Sequence, residues 1–136
     1  MRNMTKLIAT AVVALATGVA SAQAMKADIP FAFRAGEKMM APGKYTVRAN
    51  GGVSNLVQVY NADTKDSAML LPASKATASK EWRAKGEPVL AFDCATGHCS
   101  LISMWTADDD RALTFYNYAG KGGAAAMIRL VRLTAK

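Results

Sequence analysis

The sequence predicts an all-β domain, a single small sandwich or partly closed barrel of about eight short, mostly antiparallel strands. Three observations predict it. Apolar and polar residues alternate with period 2 in segment after segment. The segments recur about every ten residues, and clusters of Gly, Asn, Asp and Pro separate them.

The chain opens with Arg2 and Lys6 ahead of an apolar run, LIATAVVALATGV, from Leu7 to Val19. Ala22 and Ala24 then frame an A-x-A cleavage site, and Ala20-Ser21-Ala22 offers a second register. That is the layout of a secretory signal peptide. The run falls short of the roughly 20 apolar residues a spanning helix needs. We therefore read residues 1–24 as a cleaved signal and 25–136 as one β domain, too short for two. No later segment is apolar and long enough to span a membrane. The expected address is exported, periplasmic or extracellular.

Losing Arg2 and Lys6 reduces 17 basic residues to 15 against ten acidic ones, a net charge of +5. The cations are spread from Lys26 to Lys136 with no dense block, which together with export argues against nucleic acid. A charged, soluble surface explains them, and loose attraction to anionic envelope polymers or lipid headgroups is compatible with them.

Taking the elements in order, Ile29, Phe31 and Phe33 alternate with Pro30, Ala32 and Arg34 as a half-buried strand, and Ala35-Gly36 breaks the run. Ala41-Pro42-Gly43-Lys44 predicts a type II turn that carries the chain round a corner between strands. Tyr45 and Val47 resume the alternation. After Asn50-Gly51-Gly52, a strand runs from about Ser54 to Tyr60, and residues 67–71 predict a short, well-buried strand ending at Pro72. Residues 73–87, ASKATASKEWRAKGE, are small and polar and read as a loop with at most a helical turn. Their large apolar group is Trp82, flanked by Lys80 and Arg83; these make a candidate contact surface, although a tryptophan folded over the core edge is the commoner arrangement.

Residues 89–93 and 100–106 are strand-like and flank Cys94-Ala95-Thr96-Gly97-His98-Cys99, the clearest hairpin in the chain. Pairing Cys94 with Cys99 sets Phe92 opposite Leu101 and Leu90 opposite Ser103, with Trp105 on the same face. Residues 111–118 predict the next strand, with Tyr116 and Tyr118 on one face. A closing segment at 124–133 fits either a strand or a helix, because Ala124–Ala126 permit both.

The two cysteines carry the sharpest chemistry. In an exported chain a disulfide is favoured, and a ring of six residues contributes about 2 kcal/mol by the loop-entropy model. A redox pair prefers C-x-x-C spacing, and structural zinc wants four ligands where Cys94, His98 and Cys99 supply three. His98, in the hairpin tip, joins the candidate contact residues. A hydrolase built on His98 and Asp93 lacks a recognisable nucleophile, and no G-x-S-x-G elbow occurs. Asp108-Asp109-Asp110 lacks the spacing of an EF-hand loop, and Gly120–Gly123 lacks a phosphate-loop pattern.

Two blocks resemble an uncharacterised family of small exported bacterial β proteins. IPFAFRAGEKMMAPGKYTVR is similar to the family's opening, a proline-phenylalanine strand, a Gly turn and a Pro/Ala-Gly-x-Tyr-x-Val step. EPVLAFDCATGHCSLISMWTADDDRAL is similar to its later hairpin, which ends in Trp-Thr. The family has no established activity, so the resemblance implies an address and a β fold, without a reaction. Cys94 and Cys99 depart from the family's hairpin. The Pro42-Gly43-x-Tyr45-x-Val47 step is also similar to steps in prealbumin-like sandwich modules, which supports the fold by analogy.

The functional expectation is a non-enzymatic exported module, binding or structural, without cofactor or metal. Its partner would be an envelope polymer or protein, with Tyr60, Tyr116, Tyr118 and Trp82 as aromatic contacts. The alternative is a small barrel carrying an apolar ligand among Met39, Met40, Met69, Met104 and Met127.

Overall fold

A computed structural model describes residues 23–49, 56–95, 97–117 and 127–135. They form two packed sheets that do not close into a barrel, so the sandwich holds. The described residues make twelve strands where the sequence suggested about eight. The extra ones are short pieces beside corners and at the C-terminal end, together with one strand inside the segment read as a loop.

Sheet A runs in the order β12 (Thr134–Ala135), β1 (Gln23–Ile29), β4 (Gly43–Ala49), β5 (Val57–Tyr60) and β6 (Ser67–Leu70), all antiparallel. Sheet B runs β11 (Ile128–Arg132), β8 (Val89–Asp93), β9 (Cys99–Trp105), β10 (Arg111–Thr114) and β7 (Ser74–Thr77). The hairpin of β2 (Phe33–Ala35) and β3 (Lys38–Met40) joins sheet B, with β2 parallel to β9. One edge of β9 is thereby shared: β2 takes Cys99 and Ser100, while β10 takes Ser103 and Met104.

The predicted strand over 29–34 is split in two. Pro30 has no N–H to give a ladder, so Ile29 ends β1 and Phe33 begins β2. β1 lies mostly upstream of the predicted segment, burying Met25, Ala27 and Ile29 between exposed Lys26 and Asp28. It starts at Gln23, two residues ahead of a cut after Ala24. Gly36-Glu37 closes β2 on β3 with φ +65° at the glycine, as a type II′ hairpin demands. Ala41-Pro42 does carry the chain round a corner, from sheet B to sheet A. It is not a type II turn: Gly43 already belongs to β4, with φ +157° where that turn needs about +80°.

β6 is also less buried than its sequence suggests. Ala68 and Leu70 face the core, whereas Met69 and the following Leu71 are exposed, because an edge strand of a sandwich covers one face only. Residues 73–87 are not a plain loop. β7 pairs with β10 from Ser74↔Thr114 to Thr77↔Arg111, and α1 (Lys80–Lys85) follows. Every residue of β7 is exposed, so it stands by ladder bonds and leaves no apolar alternation to read. The Ser79 side chain accepts from the Trp82 N–H at 3.1 Å, and Gly86, at φ +70°, ends the helix. The closing segment resolves as the strand β11; Ala124–Ala126, Gly120–Gly123, Tyr118 and Asn50–Asn55 lie outside the described residues.

The core sits between the sheets. Tyr45 from sheet A meets Phe33 from sheet B edge to face at 5.2 Å, Phe33 meets Phe92 at 5.4 Å, and Phe92 meets Phe31 at 5.0 Å. The Arg129 guanidinium caps this chain 4.4 Å above the Phe31 ring.

The β8–β9 hairpin corrects the predicted register. Phe92 does face Leu101, but Ala91 faces Ser103 and Leu90 faces Met104, leaving Ile102 as the extra residue of a β-bulge. Beyond the bulge the faces exchange. Met104 enters the main core, and Trp105 turns to the outer face of sheet B, where it packs with Ala78, Val89 and Ala112.

Candidate functional site

Cys94 and Cys99 are joined as a disulfide across the hairpin tip. His98 is exposed beside Gly97, whose φ is +90°. Trp82 is half-buried against the Trp105 cluster, so its ring folds over the outer face of sheet B. The Arg83 Nε donates to the Ala78 carbonyl at 3.0 Å, and Lys80 is exposed. These contact candidates are not assembled. Trp82 sits with Val89 at the base of the hairpin while His98 is at its tip, at least four strand residues away, about 13 Å.

Asp93 is engaged by three hydrogen bonds within the fold. Its Oδ1 accepts from the N–H groups of Ala95, at 3.1 Å, and Met127, at 3.3 Å, while Oδ2 accepts from the Asn117 amide at 3.0 Å. Burial pushes its carboxyl pKa up, and the three hydrogen bonds more than offset that, leaving it below the ordinary carboxylate value. The carboxylate ties the hairpin tip to the segments entering at Asn117 and Met127. The acidic triplet is likewise a turn: the Asp109 carbonyl accepts from Trp105 Nε1 and its carboxylate from the Arg111 N–H, both at 2.8 Å. Among the described residues no group of three metal-binding side chains occurs.

The methionines do not converge either. Met40 and Met104 are buried in a packed core, while Met39, Met69 and Met127 are exposed. With two open sheets and no shared lining, the barrel carrier loses its container. Met69, Leu71 and Tyr116 instead border a surface cleft of about 330 Å³ beside Gly36 and Glu37.

The outer face of sheet A, opposite Met25, Tyr45, Val47, Val57 and Val59, carries a larger groove. The registers set its side chains in rows. One row reads Thr134, Lys26, Thr46, Tyr60 and Ser67; the next reads Ala24, Arg48, Gln58 and Met69; Asp28 faces Lys44 in a third. A groove of about 640 Å³ opens across part of this face, lined by Lys26, Asp28, Lys44 and Thr46. Its walls are Leu130 and Arg132 from β11, Pro30, and Ala62-Asp63 of the β5–β6 turn. That turn is held by Asn61, buried, whose Oδ1 accepts from the N–H groups of Asp63 and Thr64 at 2.9 and 3.2 Å.

Lys26, Lys44 and Arg48 are exposed. The ion pairs among the described residues are Lys38 with Asp66, away from this face, and Arg132 of the groove wall with Glu87. Of the predicted contacts among the described residues, Tyr60 alone belongs to this surface. The others on it occupy the polar positions between core residues of ordinary alternating strands, a signal present in the sequence but shared by every half-buried sheet. No protein-family model, curated protein or solved structure matches the chain.

Proposed function

We propose that the protein is an exported, non-enzymatic β-sandwich module that binds a component of the cell envelope or secreted fraction, with the outer face of sheet A as its working surface. The observation that carries this reading is the polar face spanning β1, β4, β5 and β6, with a groove at its β1–β4 side walled by β11 and the β5–β6 turn. The signal-like N-terminus and the Cys94–Cys99 disulfide support the address, since disulfides persist in oxidising compartments.

Retention of envelope or secreted material by the immobilised exported chain tests it. The expected result is retention that Tyr60→Ala with Gln58→Ala weakens at least fivefold, with the melting temperature preserved. Retention of nothing, or retention indifferent to both substitutions, would overturn it.

A further inference from the structure

We infer that the ligand of this face is an anionic polysaccharide lying in an extended form across β1 and β4. The inference rests on the outer face of sheet A being the working surface. Lys26 lies opposite Thr46, so Lys44 and Arg48 are its two diagonal neighbours on the next strand. Each is about 7–8 Å from Lys26. Lys44 and Arg48, four residues apart on β4, are about 13–14 Å from one another.

The three cations therefore zigzag across two strands at steps comparable with the Debye length of about 8 Å at physiological salt. A compact anion would engage one or two of them; a chain with repeating negative groups engages all three. Asp28, facing Lys44, and Asp63, on the groove wall, are the acids beside Lys26, Lys44 and Arg48, which leaves a surplus of one positive charge, and the wall's Arg132 is paired with Glu87. Between and beside the cations stand Thr46, Gln58 and Tyr60, which supply hydrogen-bonding groups and a half-exposed ring. That mixture suits hydroxyl-rich sugar rings. An anionic membrane would be met by cations together with a cluster of protruding large apolar groups, whereas here Met69 stands in the rows and Leu130 on the groove wall, at opposite sides of the sheet. The groove at Lys26 and Lys44 gives an extended polymer a bed that a flat bilayer cannot enter.

The test titrates the purified exported chain with polygalacturonate, with dextran as the neutral polymer, and with phosphatidylglycerol vesicles. Polygalacturonate is expected to bind in 50 mM salt, to lose about tenfold in affinity by 200 mM, and to be preferred over both others. Replacing Lys26, Lys44 and Arg48 together by Gln should cost at least tenfold. Replacing Lys75, Lys80 and Lys85 by Gln, the same loss of charge on β7 and α1, should cost less than twofold. Equal losses in the two triple variants would overturn the site, because net charge alone would then explain binding. Preference for vesicles would replace the polysaccharide by a membrane. Failure to bind polygalacturonate while envelope material is still retained would remove the anionic ligand and leave the binding module standing; failure to retain either would remove both.

Discussion

At the scale of single residues, Gly43 and Asn61 show how a core contact shapes one end of the groove. A Cβ at Gly43 would lie 3.0 Å from Asn61 Nδ2, and the backbone there has φ +157°. Gly43→Ala should therefore push on the buried amide that holds the β5–β6 turn and cost about 1–3 kcal/mol, measurable by urea unfolding. Asp93 makes a prediction in pH. Its pKa is depressed on folding below the ordinary carboxylate value of 3.8, so its contribution is complete above that value and disappears as pH falls through the folded pKa. The stability gap between the native chain and Asp93→Asn should accordingly be constant from pH 7 to 5 and shrink below about 3.8, by denaturant melts across that range. An undiminished gap at pH 2.5 would contradict the hydrogen-bonded carboxylate.

At the scale of elements, the bulge at Ile102 decides which side of β9 is core. Met104→Ala should cost about 2–5 kcal/mol, as a buried methionine does, whereas a regular ladder would place Met104 outside and make the change nearly neutral. Chemical denaturation of the single variant separates the two. The same element shows what was legible beforehand. The hairpin, its disulfide and the pairing of Phe92 with Leu101 follow from local spacing. One unpaired residue then reverses every later side chain, and nothing in LISMW marks which residue it is. β7 was illegible for a different reason, since an exposed strand carries no alternation. The candidate site was legible only in part: the outward positions of β1, β4 and β5 can be read from their buried neighbours, but the registers that bring Lys26 between Lys44 and Arg48 are set by long-range pairing.

At the scale of the whole molecule, the extent of β1 bears on where the mature chain would begin under the export proposed above. Gln23 pairs with Ala49 and Ala24 with Arg48, so cutting after Ala24 removes two ladder positions, whereas cutting after Ala22 leaves the strand whole. We expect the intact mass of the exported protein to correspond to an N-terminus at Gln23, either as such or cyclised with loss of ammonia. A mass starting at Met25 would show that the sandwich forms without those pairs. β1 also lies between β4 and β12, and β12 is made of Thr134 and Ala135. Its second edge therefore cannot be filled until the last of the described residues has been synthesised. Pairings that distant in sequence place folding at the slow, millisecond-to-second end of small domains. On the proposed export route that delay has a use: while β12 is still to be made the sandwich stays incomplete, which leaves the polypeptide open for threading across a membrane.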